Sequence, residues 1–176
     1  VQLARLLIAK DTIQLTVAEF NQSVDQFSDN IYRFILKNMR DEDEARDVVQ
    51  DTFERVWLKA SEVSFEKAKS YLFTTAYRIM LERIRKKKRQ EPTDTALNLI
   101  PDSSKDPEFD LKRVLNEAIS KLPEDQRSVI MLRDYEGYSY DEIGRITGLN
   151  ESQVKVYIFR ARVFLKNYLV RMEVVL

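Results

Sequence analysis

Side chains able to bond the edges of bases crowd one short stretch of this chain. Ser152, Lys155, Arg160 and Arg162 lie within ESQVKVYIFRAR, residues 151–162. A good bidentate pair between arginine or lysine and guanine gives about 1–3 kcal/mol of discrimination, and apolar groups such as Val156 and Phe159 suit thymine methyls. From Ser152 to Arg171 there are basic residues and no acids. To read a groove these groups must ride on a helix set by a turn. Ser139-x-x-Glu142 is a capping box that opens a helix over 140–147. Gly148 offers the left-handed conformation that closes it. Asn150, with Gln153 three residues on, opens the next helix, over 151–171. A helix ended by glycine, a short turn and a freshly capped helix make a helix-turn-helix. Val154, Ile158, Ala161, Leu165 and Leu169 form the inward stripe of the second helix. Ser152, Val156, Phe159, Val163 and Lys166 lie opposite, flanked by Lys155, Arg160 and Arg162. An outward Phe159 fits a DNA groove or a protein contact.

Two further charged surfaces stand upstream. With Asp47 at zero on a wheel of about 100° per residue, Asp43, Glu44, Gln50, Asp51 and Glu54 fall within about 60° of it. Ala45, Val48, Val49, Phe53 and Val56 lie opposite. Carboxylates one turn apart repel by a few tenths of a kcal/mol per pair. The stripe is either a solvated face or the dock for a cationic partner. The third helix carries Ala68, Leu72, Ala76 and Ile79 on one flank and Phe73, Tyr77, Met80 and Ile84 on another. Such a helix packs on two sides. Lys67, Arg78 and Arg85 share its exposed strip, and it ends in RIRKKKR, residues 83–89, whose charges suit phosphates.

The chain has 176 residues, 44% hydrophobic and 33% charged, with three Gly and four Pro. Long stretches free of both point to an all-α fold. Helices are expected over about 17–39, 41–59, 66–89, 109–121, 124–136, 140–147 and 151–171. The stretch 91–110, acidic and bearing three prolines, reads as a flexible linker between two small helical domains, 16–90 and 111–176. Residues 1–15 read as an extension of unknown role. With no histidine and no cysteine, the commonest general base, disulfides and thiolate metal sites are excluded. No metal, cofactor or small-molecule substrate is expected, and an enzyme is not. Net charge is zero, but the signs are segregated, which favours several distinct partners. No apolar run approaches the roughly 20 residues of a membrane span, so direct membrane insertion is not expected and a cytoplasmic location is.

Four motifs together resemble the extracytoplasmic-function sigma factors, promoter-specificity subunits of bacterial RNA polymerase. They are DEARDVVQDTFERVW at 43–57, SYLFTTAYRIMLERIRKKKR at 70–89, LPEDQR at 122–127, and the helix-turn-helix through Arg162. The resemblance implies that Asp43, Asp47, Gln50, Asp51 and Glu54 dock on the clamp helices of the largest polymerase subunit. It implies that Lys59, Ser61, Ser64, Lys67 and Arg78 serve the single-stranded −10 element, one base flipped out. Arg83, Arg85 and Lys86 would touch the backbone at the duplex edge. Ser152, Gln153, Lys155, Val156, Phe159, Arg160 and Arg162 would read the −35 element. Its further implied partners are the polymerase flap region and an anti-sigma factor. The chain departs from the family pattern at Arg78, Glu82 and Tyr157, where Asn, Asp and a second basic residue are common.

The residues leave one main alternative, a dimeric helix-turn-helix regulator on a palindromic operator. A phosphoryl-transfer enzyme lacks its glycine-rich phosphate loop.

Overall fold

A cap written in the sequence starts the first helical unit. The computed structural model describes residues 14–90 and 107–173. Thr16 accepts from the Glu19 amide while the Glu19 carboxylate accepts from the Thr16 amide at 2.9 Å. Helix α1 then runs Val17–Met39, burying Ile31, Phe34 and Ile35. It ends at Arg40, left-handed with φ 59°, and the next residue, Asp41, caps α2, Glu42–Leu58. A 3₁₀ turn, Ala60–Glu62, leads to α3, Phe65–Gln90. The buried face of α2 is Ala45, Val48, Thr52 and Val56. Thr52 is tolerated there because its hydroxyl donates to the Val48 carbonyl at 2.6 Å.

Leu15, expected in an unassigned extension, belongs to this first unit: it is 2% exposed and its amide donates to Ala60 O at 2.8 Å. Residues 1–13 lie outside the described part of the chain, as does most of the expected linker. Helix α4 is Pro107–Ser120, so it claims 107–110 from the linker. Proline at the first helical position has φ already set and no amide to leave unpaired. Helix α5, Glu124–Ile130, continues as a π-helical turn over Met131–Tyr135. The single helix expected over 124–136 therefore widens in its last turn, and Gly137 at φ 77° ends it. Helix α6 is Tyr140–Thr147 and α7 is Glu151–Glu173. Among the described residues there is no strand.

The turn between α6 and α7 needs two glycines for different reasons. Gly148 sits at φ 77°, a conformation costly for other residues. Gly144 is helical, but a Cβ there would lie 2.8 Å from the Leu149 carbonyl oxygen. The chain folds back over that helix too closely for a side chain.

The second apolar flank of α3 finds its neighbour in the C-terminal unit. Phe73 packs between Phe34 of α1, ring centroids 5.7 Å apart, and Tyr138, 5.5 Å and edge-on at 71°. Lys69 Nζ sits 4.8 Å from the Tyr138 ring centroid and donates to Glu136 O at 3.0 Å. Asn30 donates to Glu136 Oε2 at 2.9 Å. One buried apolar cluster therefore runs through both units.

Arg127, the last residue of LPEDQR, joins the units from the polar side. Its guanidinium donates to the carbonyls of Ile119, Ser120 and Leu122 around the end of α4, and to Asn38 O in the last turn of α1 at 3.1 Å. A cation between two helix C-termini meets both negative dipole ends and their orphan carbonyls. Burial, with Arg40 nearby, pushes its pKa down to about 10, which leaves it charged at neutral pH. Ser128 adds a bond to the Asn38 side chain at 3.0 Å.

Candidate nucleic-acid interface and acidic docking face

Helix α7 presents its basic and apolar outer face to solvent. Val154, Ile158 and Ala161 are buried, while Phe159 is 68% exposed, with Val156 and Val163 beside it. Ser152, Lys155 and Arg160 are exposed on the same helix. The Asn150–Gln153 cap is reciprocal: Gln153 N donates to Asn150 Oδ1 at 2.9 Å and Asn150 N to Gln153 Oε1 at 3.0 Å. The amide oxygen of Gln153 is thus engaged in the cap. Lys155 pairs with Glu151 at 2.6 Å. Arg162 pairs through two nitrogens with Asp134, at 2.6 and 3.3 Å, and this bond holds its pKa above the ordinary value. Arg162 therefore stands on the edge of the interface, tied to the π-helical turn. The capping box below this helix forms as expected. Bonds from the Ser139 backbone and hydroxyl hold Glu142 below the usual carboxylate range.

The acidic stripe of α2 faces outward as the wheel requires. Asp43, Asp47, Gln50 and Glu54 are exposed and Asp51 partly so. Asp43 is paired with Arg46 at 3.1 Å. The departure from expectation is Arg83. Its Nη1 lies 2.8 Å from Glu44 and 3.6 Å from Asp47, and its Nη2 lies 2.7 Å from Asp51. Burial pulls its pKa down, but the bonds to Glu44 and Asp51 outweigh this and hold it raised. Its charge is engaged with the carboxylates of α2. The sequence carried a signal for this: Arg83 follows Ile79 by four residues and Ala76 by seven, which places it on the inward flank of α3.

The other basic groups expected at the −10 element are available. Lys59, Ser61, Lys67, Arg78, Arg85 and Lys86 are exposed, and Ser64 is half-buried before α3. Lys87 and Lys88, farther along, pair with Asp41 at 3.6 Å and Glu124 at 3.2 Å. Among the described residues no helix is long and apolar enough to cross a membrane.

Two family models match the chain. Sigma-70 region 2 matches residues 23–90 and sigma-70 region 4 matches residues 112–165. The chain is similar to the ECF RNA polymerase sigma factor SigM of Bacillus subtilis, 28% identical over 156 residues, 86% of this chain and 94% of that protein. It is also similar to the B. subtilis RNA polymerase sigma factor SigV, 27% identical over 150 residues, 84% of this chain and 89% of that protein. Among solved structures it resembles the sigma factor RpoE of Bartonella quintana in complex with the anti-sigma factor NepR. That match has a TM-score of 0.76 and 25% identity, over 87% of this chain and 98% of that one. With regions 2 and 4 both matched, in order and over more than half of its length, the chain belongs to the sigma-70 family, in its extracytoplasmic-function group.

Proposed function

We propose that the chain binds core RNA polymerase through the acidic face of α2 and directs initiation by engaging a −10 element with α3 and a −35 element with α7. The observation that carries this is spatial separation. One acidic surface and two basic ones lie on different elements, so no single surface has to serve two partners. At α7, Ser152, Lys155, Val156, Phe159 and Arg160 read bases and Arg162 buttresses them. At α3, Lys67, Arg78, Arg85 and Lys86 meet the opened strand and its duplex edge, with Lys59, Ser61 and Ser64 in the loop before it. A palindrome-reading dimer leaves the region 2 match unexplained and is not favoured.

Use of both elements requires the units to part. Two sites about 25 base pairs apart lie roughly 85 Å apart along the duplex. A compact chain of 176 residues has a radius of gyration of about 16 Å. The Phe73–Tyr138 and Arg127–Asn38 contacts must therefore break when both elements are bound. The free chain accordingly binds promoter DNA weakly. An anti-sigma factor that clamps across both units would oppose this separation. Run-off transcription with purified core polymerase tests the function. A promoter-dependent transcript that needs this chain is expected, and its absence over a broad promoter set would overturn the proposal. Tight binding to an inverted repeat without polymerase would favour the regulator instead. Recovery of a clamping protein in co-purification from the native host tests the anti-sigma partner.

A further inference from the structure

Glu44, Asp47 and Asp51 stand one turn apart along α2, and their mutual repulsion would splay them. A single guanidinium from the neighbouring helix spans all three, at 2.8, 3.6 and 2.7 Å. Glu44 and Asp51 are seven residues apart, roughly 10 Å along the helix. The rigid fork of an arginine reaches both at once, where the ammonium of a lysine would satisfy one. Asp47 keeps 66% side-chain exposure, and Glu54 is exposed.

We propose that Arg83 is a positioning residue for polymerase binding: it fixes Glu44 and Asp51 in place and leaves Asp47 and Glu54 to meet the partner. This rests on reading the acidic face as the docking surface. Apolar packing of Ala45, Val48 and Val56 against α3, together with the Arg55–Glu82 and Lys87–Asp41 pairs, holds α2 and α3 together without Arg83. Loss of its charge leaves the fold intact but frees two carboxylates to move.

Two effects oppose each other when Arg83 is removed. The face becomes more negative, which strengthens long-range attraction to a cationic partner. The carboxylates also lose their fixed geometry, which weakens contact. At physiological salt the first is screened beyond about 8 Å, so the second decides the affinity.

The test titrates the full-length chain against purified core polymerase, with R83A, R83K and D51N alone, R83A/D51N together, and D47K as a control. Thermal unfolding of each chain confirms that it folds. R83A should weaken holoenzyme assembly about tenfold, equivalent to about 1.4 kcal/mol. R83K should recover part of that loss, and adding R83A to D51N should cost less than R83A alone. A purely structural role would give neither the partial rescue nor the coupling in affinity. Equal or tighter core binding by R83A would overturn the inference, as would a defect confined to promoter complexes, which would return Arg83 to DNA contact. If D47K also assembles normally, the docking-face reading itself falls, and the inference with it.

Discussion

Replacing Phe73 and Tyr138 by leucine, singly and together, measures whether the two units pack on each other in the free chain. Both rings are buried, and their centroids lie 5.5 Å apart at 71°. An edge-on aromatic pair contributes about 0.5–1.5 kcal/mol beyond its buried area. Lys69, 4.8 Å from the Tyr138 centroid and 6.0 Å from that of Phe73, adds a cation–π term to the same pair. Leucine keeps most of the volume, so each unit retains its own core and the single variants stay folded. The expected coupling in a double-mutant cycle, read by urea unfolding, is about 1 kcal/mol or somewhat more. Sites that do not touch add within about 0.3–0.5 kcal/mol. A coupling inside that band would refute the closed arrangement. A second readout is the distance between fluorophores placed on α1 and α7. It should lengthen when core polymerase is added, and the double variant should begin longer than the parent chain.

Arg127→Met leaves the carbonyls of Ile119, Ser120, Leu122 and Asn38 without their donor. A loss of about 2–4 kcal/mol in urea unfolding is expected, well above a surface substitution. Ser139→Ala removes the hydroxyl half of the α6 capping box, its bonds with the Glu142 amide and carboxylate, while the backbone amide still donates to Glu142, and should cost about 1 kcal/mol at neutral pH. Because Glu142 is held below the usual carboxylate range when folded, its contribution is complete above that range and is lost as pH falls through the lowered value. The stability gap between Ser139→Ala and the parent, followed by thermal unfolding, should therefore shrink in acid. Gly144→Ala forces a Cβ against the Leu149 backbone oxygen and should destabilise the turn by about 2 kcal/mol, with transcription falling alongside. Phe159→Ala and Arg160→Ala alter exposed groups and should shift stability by less than about 0.5 kcal/mol. Their loss should appear in run-off transcription and in the choice of −35 sequence.

The helices, their caps and the outward faces of α2 and α7 were legible in the sequence because they depend on residues a turn apart. Thr16 with Glu19, Ser139 with Glu142 and Asn150 with Gln153 close their boxes within three residues, and a wheel suffices to set Asp47 outward and Val154 inward. Region 2 and region 4 were likewise recognisable from four local motifs. What lies across helices was not. Spacing sets Arg83 on the inward flank of α3, but nothing local names Glu44, Asp47 and Asp51 as its partners, or says that Asp134 would hold Arg162 or that Arg127 would bridge two helix ends, 89 positions from Asn38. The second apolar flank of α3 announced that a neighbour was needed. Only the tertiary structure decided that Tyr138 and the C-terminal unit supply it, because buried area accepts any complementary surface and its partner is fixed by geometry, not by spacing along the chain.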